Sequence, residues 1–256
     1  MRTPDVETNV DELQRSVARL RGIVQRLDDD QLATQAYPTE WTVADVLSHL
    51  GSGAVIMKRR IDDIVAGADT PDDFAPTTWE EWNAKGPSER AADGLKADES
   101  LLERVASLTD SDRAQFRFAL GPMTFDLAGF VGLRLNEHAL HTWDVEVAFD
   151  PSARVPDSAV ELIIDNLQMI ARFGGRPTGA SDTITVQTTQ PSRSFEIGLT
   201  PDSVSMKSTE GLAQPDVTID AEAFVRLVYG RLDHGHTVGV LGEADRDELR
   251  RVFRGI

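Results

Sequence analysis

Apolar residues in the first part of the chain recur with the period of an α-helix. Residues 6–27 place leucine and valine at alternating spacings of four and three, at Leu13, Val17, Leu20, Val24 and Leu27. On a helix of about 3.6 residues per turn, this spacing collects the apolar side chains into one narrow stripe. The pattern therefore predicts an amphipathic helix that buries this stripe.

The same period and one capping signal predict four further helices. Thr42 and Asp45 have the spacing of a capping box, which begins a second helix with an apolar face of Val46, Leu50, Met57, Ile61 and Ile64. The remaining helices are predicted over residues 88–108, 126–149 and 158–173. Proline and aspartate make residues 68–87 a looser connection, and FRFALGPMTF is expected to be extended around a Gly-Pro turn.

The last part of the chain changes to the period of a strand. TITVQT, SFEIGLT, SVSMKST and DVTIDA alternate apolar and polar residues, whereas EAFVRLVYGRL and ADRDELRRVFRG return to helical spacing and TVGVLGE is a short strand candidate. The helix-breaking segment GGRPTGAS separates the two patterns, so we place the domain boundary between residues 178 and 179. The predicted fold class is α+β, with a bundle of four or five helices over residues 1–178 and a small α+β domain over residues 179–256.

Composition and charge narrow the classes of function. Of 256 residues, 40% are hydrophobic, and the formal net charge is −17, which repels nucleic acid and anionic membranes. No apolar stretch is long enough to span a bilayer and MRTPDVETNVDEL lacks a signal-peptide core, so we expect a cytoplasmic protein. The chain has no cysteine and cannot supply a thiol of its own. The excess of arginine over lysine is typical of high-GC bacteria.

The strongest chemical signal is a pair of metal-ligand residue types on the predicted fourth helix. Glu137 and His141 are four residues apart, which places them on one face of a helix with Cβ atoms about 6 Å apart. His49 on the predicted second helix offers a third ligand, and the three form a two-histidine, one-carboxylate set that leaves a coordination position open. Apolar residues flank the pair, so we expect both side chains to be buried and to need a partner such as a metal ion.

Other histidines allow competing interpretations. His138 and His141 form a pair three residues apart, but that pair would leave Glu137 unexplained. His234 and His236, in the sequence DHGH, could bind a metal weakly, although a polar turn is the preferred interpretation. A lone histidine on a helix is also more often a hydrogen-bonded core residue than a ligand, and this applies to His49.

Residues beside the candidate ligands also have two interpretations each. Asp144 could accept a hydrogen bond from His141, as carboxylates do behind metal-bound histidines, or it could pair with Arg134. Asp45 could be a fourth ligand, but a capping role is preferred. The Gly-Ser-Gly run at residues 51–53 costs helix stability, which either room for a ligand or close helix packing would explain.

These residues resemble a known family. WTVADVLSHL followed by RLNEHALHTWD is similar to the mycothiol-dependent maleylpyruvate isomerase family, within the wider group of DinB-like helical bundles. VTIDAEAFVRLVYGRL with the closing helix is similar to the sterol-carrier-like C-terminal domain of that family. The family motif falls on Trp41, His49, Arg134, Glu137, His141 and Asp144.

The resemblance implies a divalent metal ion, usually zinc, bound by His49, Glu137 and His141, and mycothiol as the thiol cofactor. A thiol bound to Zn²⁺ is deprotonated, so it becomes a thiolate nucleophile that adds to maleylpyruvate and is then lost, or that stays attached in S-transfer. A substrate with carboxylates needs an arginine, for which Arg134 and Arg231 are candidates. A metal- and ligand-binding scaffold without turnover, and an iron-dependent redox enzyme, remain as alternatives.

Overall fold

The structure is a computed structural model that describes residues 5–233, 235, 240–241 and 244–255. It has the predicted α+β class and divides into two compact units, Met1–Ala153 and Arg154–Ile256. The first unit is built from helices and one small hairpin, and the second combines helices with a five-stranded sheet. None of the described helices is long and apolar enough to cross a membrane.

The first unit contains the predicted long helices. Its elements are α1 (Val6–Val24), α2 (Asp29–Leu32), α3 (Val43–Ala66), α4 (Phe74–Asn83), α5 (Pro87–Ala106), α6 (Asp110–Gln115), β1 (Phe118–Leu120), β2 (Met123–Phe125) and α7 (Leu127–Glu146). The predicted capping box is present, because Thr42 Oγ1 accepts from the amide of Asp45 and the Asp45 carboxylate accepts from the amide of Thr42. The expected extended segment forms the hairpin β1–β2.

Three helices in this unit, α2, α4 and α6, were not predicted, and α4 is the longest of them. Residues 68–87 were expected to form a looser connection, but Phe74–Asn83 within them is helix α4. The apolar periodicity of α4 is weak because most of its residues are exposed to solvent. Its buried residues are Thr78 and Trp82. Helix α4 packs against α3, where it contributes to the surroundings of His49.

Helix α3 is central to the packing of this unit. It contacts α4, α5 and α7, and α1 packs against α7 and α5. A Cβ added to Gly51 would lie 2.2 Å from the ring of Trp82 and 2.9 Å from the Cα of Gly94, so the α3 and α5 backbones approach closely at this point. Close helix packing therefore explains Gly51, and room for a ligand does not.

The second unit is a sheet covered by helices. Its elements are α8 (Asp157–Ile163), a 3₁₀ turn (Ile164–Asn166), α9 (Leu167–Gly174), β3 (Asp182–Thr188), β4 (Ser194–Leu199), β5 (Val204–Thr209), β6 (Val217–Ile219), α10 (Ala221–Val228), β7 (Val240–Leu241) and α11 (Ala244–Val252). The strand order is β5-β4-β3-β6-β7, with β3 and β6 parallel and the other neighbours antiparallel. Strand residues that point inward, such as Val186, Phe195 and Ile197, are fully buried.

The two compact units divide earlier than the expected boundary at 178/179. The predicted fifth helix is interrupted by the 3₁₀ turn, and its two parts pack with later elements: α8 and α9 both contact α10, and α9 also contacts β5. The physical reason is that the apolar faces of α8 and α9 complete the core of the sheet unit. The sequence pattern shows only that α8 and α9 have a helical period, and for this reason they were grouped with the preceding helices.

Candidate metal centre

The structure brings the three candidate ligands together. His49 lies on α3, and Glu137 and His141 lie one turn apart on α7. His49 Nε2 donates to Glu137 Oε2 over 3.2 Å, and His141 Nε2 lies 3.6 Å from the same oxygen. One donor atom from each of the three residues lies within 4.8 Å of the others. Two imidazole nitrogens and one carboxylate oxygen at this spacing fit the ligand set of a divalent metal ion.

Neighbouring side chains fix the orientation of the two imidazoles. The second nitrogen of His141, Nδ1, lies 2.8 Å from Asp144 Oδ2, and Asp144 is fully buried. A carboxylate at Nδ1 favours the tautomer that leaves Nε2 available as a ligand. The Trp41 ring stacks on the His141 ring with centroids 5.8 Å apart, and its centroid is 5.2 Å from that of His49.

The exposure of Glu137 differs from the expectation. The sequence predicted that Glu137 and His141 are both buried, but the side chain of Glu137 is 47% exposed while that of His141 is 10% exposed. Glu137 is exposed to solvent, although Asn136 and His138 on either side of it are buried. The Glu137 carboxylate therefore gives the centre an exposed ligand, as a site that exchanges ligands requires.

Charge at the centre follows from this geometry. Desolvation raises the pKa of the Glu137 carboxyl, but the hydrogen bonds from His141 and His49 outweigh it and hold the pKa well below its usual range. Burial lowers the pKa of His49, and the neighbouring His141 acts in the same direction against the opposing effect of Glu137. A carboxylate that stays ionised and an imidazole that stays neutral are the protonation states in which both groups bind metal ions.

His138 belongs to a buried network and not to this centre. Its Nε2 donates to Asp98 Oδ2 over 3.2 Å, and its Nδ1 accepts from Ser16 Oγ over 2.8 Å. Asp98 also accepts from Arg134 Nη2 over 2.5 Å. Because Ser16, Asp98 and His138 lie on α1, α5 and α7, the network joins three helices. The competing His138–His141 pair is thus excluded by the geometry of His138.

The remaining residues singled out in the sequence have other positions. Arg134 is 3% exposed, and its Nη2 also donates to the carbonyl of Leu50 over 2.8 Å, next to His49. The guanidinium of Arg134 is thus held inside the protein and is not presented to a substrate.

The other residues singled out in the sequence belong to different parts of the chain. Arg231 lies in the second unit, where its guanidinium donates to the Tyr229 carbonyl. Asp45 caps α3 and pairs with Arg90, whereas His234 and His236 lie outside the described residues.

A cavity of about 500 Å³ opens beside His49. Sequence reasoning missed half of its lining, because α4, which carries Trp79 and Asn83, was not predicted and α5, which carries Arg90, had no chemical motif. The cavity is lined by Glu40, Trp41, Asp45, His49, Ser52, Trp79, Asn83 and Arg90. It gives a small molecule access to the side of the centre formed by His49.

Comparisons with known proteins identify the family to which the chain belongs. The model of the mycothiol maleylpyruvate isomerase N-terminal domain matches residues 13–146, which is more than half of the chain and includes all three candidate ligands. The chain therefore belongs to the mycothiol-dependent maleylpyruvate isomerase family. No curated protein matches the chain.

Solved structures extend the likeness to nearly the whole chain. A crystal structure of the mycothiol-dependent maleylpyruvate isomerase has a TM-score of 0.70 at 14% sequence identity, and a mutant of that enzyme has 0.69 at 13%. Each match covers 95% of this chain and 98% of the other. At this identity the matches establish a shared fold over both units.

Proposed function

We propose that this protein is a metal- and thiol-dependent enzyme that uses mycothiol to isomerise a small electrophile such as maleylpyruvate, or to transfer the thiol to it. The observation that carries the proposal is the convergence of His49, Glu137 and His141 with donor atoms within 4.8 Å of one another. Membership of the isomerase family supports the choice of mycothiol and of the reaction class.

Each residue of the centre has a separate role in this proposal. His49, Glu137 and His141 would hold a divalent metal ion, which we infer to be Zn²⁺, and Asp144 orients His141 through its Nδ1. A bound Zn²⁺ supplies an ionised thiol at neutral pH, where a free thiol is mostly protonated. The chain has no cysteine, so a thiol nucleophile must come from a cofactor, which would enter through an opening such as the cavity beside His49.

The substrate carboxylates need a positive group, and the structure narrows the candidates. Arg134 is engaged by Asp98 and the Leu50 carbonyl, so we do not assign it to substrate. Arg90 lines the cavity, where it pairs with Asp45. Arg231 stays a prediction from the family resemblance.

The decisive experiment combines metal content with thiol-dependent turnover. Maleylpyruvate and simple electrophiles are offered to the zinc-loaded and the zinc-free protein, each with and without mycothiol. We expect turnover only when metal and thiol are both present, because the thiolate nucleophile is lost if either one is removed. We expect His141→Ala to lose bound metal and activity while helix content by circular dichroism changes little.

His138→Gln is the matched control, because it removes a histidine of the same helix that does not face the centre. It should keep one metal ion per chain and keep its dependence on thiol. Turnover that is equal without thiol would contradict the mechanism. Stoichiometric ligand binding with no turnover in any combination would instead favour the scaffold interpretation.

A further inference from the structure

Trp79 is placed where a ligand of the cavity beside His49 would meet it. Five large apolar side chains are exposed in the described part of the chain: Val65, Trp79, Leu120, Phe149 and Phe173. Trp79 is the one among them that lines this cavity, and it is 50% exposed. Its ring makes no aromatic or cation–π contact with another described residue, so its face is available to a ligand.

The rest of the lining is rich in hydrogen-bonding groups of both kinds. Asn83 offers an amide, and Glu40 offers a carboxylate that has no hydrogen bond or ion pair with the described residues. Two groups of the lining are already engaged: Arg90 Nη1 donates to Asp45 Oδ1 over 2.5 Å, and the Ser52 hydroxyl donates to the His49 carbonyl over 3.1 Å. Apart from Trp41 and Trp79, every lining residue is polar or charged. A tryptophan face ringed by donors and acceptors suits a molecule with an apolar ring face and many hydroxyl groups.

The charges of the lining select against an anionic ligand. Glu40 and Asp45 both face the cavity, and the one guanidinium among the lining residues is already paired with Asp45. A dicarboxylate placed beside Glu40 would meet a like charge, whereas neutral hydroxyl groups can donate to that carboxylate. The ligand class that fits is therefore a neutral, polyhydroxylated ring.

We propose that the cavity between α3, α4 and α5 binds the carbohydrate-like part of the thiol cofactor, with Trp79 stacking on a sugar or inositol ring while the thiol end reaches the side of His49. This inference rests on the proposed function, since it names the part of a thiol cofactor that occupies the cavity. It assigns cofactor recognition to Trp79, Asn83 and Glu40, none of which carries the metal. Trp79 is thereby a binding residue that does not touch the reacting atoms.

The test compares two thiols that differ in the carbohydrate-like part. Binding of mycothiol and of the neutral thiol N-acetylcysteinamide to the zinc-loaded full chain is measured by calorimetry for the wild type and for Trp79→Ala. We expect Trp79→Ala to weaken mycothiol about tenfold and to change N-acetylcysteinamide by less than about twofold, because only mycothiol brings a ring to the tryptophan. Trp79→Phe should recover most of the affinity, because it restores an aromatic face.

Phe149→Ala is the matched control, since Phe149 is another exposed aromatic residue of the first unit that does not line the cavity. It should leave both affinities unchanged. An equal loss for both thiols, or no loss for mycothiol, would overturn the inference.

A third ligand separates this inference from the proposed function. Glucosaminyl-inositol without the thiol is titrated into the same variants. If neither thiol binds the wild type, the thiol dependence of the proposed function fails. In that case, binding of the thiol-free ligand that Trp79→Ala abolishes still supports the subsite, and no binding of it overturns the subsite as well.

Discussion

At the scale of single residues, the two neighbouring histidines of α7 have opposite environments. The side chain of His141 faces Glu137 and His49 at an accessible centre, whereas His138 is fully buried between Asp98 and Ser16. The sequence predicted the i, i+4 pair correctly as a geometric unit, since that spacing is a property of one helix. It could not identify Asp98 as the partner of His138, because Asp98 lies on another helix, α5, and reaches His138 only in the folded chain.

The buried network predicts a pH dependence of stability. Burial lowers the pKa of His138, against the opposing effect of Asp98, so the folded protein binds fewer protons there than the unfolded chain does. The stabilisation is therefore complete above the unfolded pKa of about 6.5 and decreases as the pH falls toward the folded pKa. Wild type and His138→Gln are unfolded in urea at about pH 7.5 and about pH 5.5, with a chelator present.

We expect His138→Gln to be less stable by about 1–3 kcal/mol at the higher pH, because the glutamine amide can still donate to Asp98 but leaves the buried Ser16 hydroxyl without the Nδ1 acceptor of His138. We also expect its stability to change less between the two pH values than that of the wild type. His49, whose pKa is lowered as well, contributes to both proteins and cancels in the comparison. Parallel pH dependences of the two proteins would exclude His138 as the titrating group.

At the scale of elements, periodicity predicted the four long helices of the first unit, including the two that carry the ligands, and missed the short helices α2, α4 and α6. The stripes of α1 and α3 repeat over many turns, and Thr42 with Asp45 marks the start of α3 unambiguously. Helix α4 escaped prediction because two buried residues cannot define a period over ten positions. For this reason the cavity lining from α4, including Trp79, was not predicted, although His49 was.

The contact between α3 and α5 predicts the effect of adding one methyl group. Gly51→Ala should destabilise the protein by about 1–3 kcal/mol, because the new Cβ would overlap the ring of Trp82 and the backbone at Gly94. Gly22→Ala in α1 is the matched control, since a Cβ there meets nothing within 4 Å. It should be neutral or stabilising by up to about 1 kcal/mol, as alanine is the better helix former.

Urea unfolding of the two variants and the wild type measures both effects. The metal content of Gly51→Ala is a second readout, because His49 lies two residues away on the same helix. If the two alanine variants had the same stability relative to the wild type, the close approach of α3 and α5 at Gly51 would be refuted.

At the scale of the whole molecule, the sequence predicted the α+β class and the order of helical and sheet parts. The change from a period near 3.6 to a period of two is strong, so both parts were evident. The unit to which α8 and α9 belong was not evident. The sequence of an amphipathic helix shows which of its faces is buried, but it does not show which other element covers that face. Their buried apolar residues include Ala159, Val160, Ile163, Leu167 and Ala171.

The division between the units therefore makes a prediction about truncated chains. A chain of residues 1–153 ends where the first compact unit ends, whereas a chain of residues 1–178 keeps α8 and α9 without the β5 and α10 partners that cover them. We expect the longer chain to bind more of a hydrophobic dye and to self-associate more, because its two extra helices expose their apolar faces. Both chains are compared at equal concentration by dye fluorescence, sedimentation and thermal unfolding. A longer chain that is monomeric and unfolds at a higher temperature than the shorter one would show that α8 and α9 belong to the helical bundle, and that the domain boundary lies at 178/179.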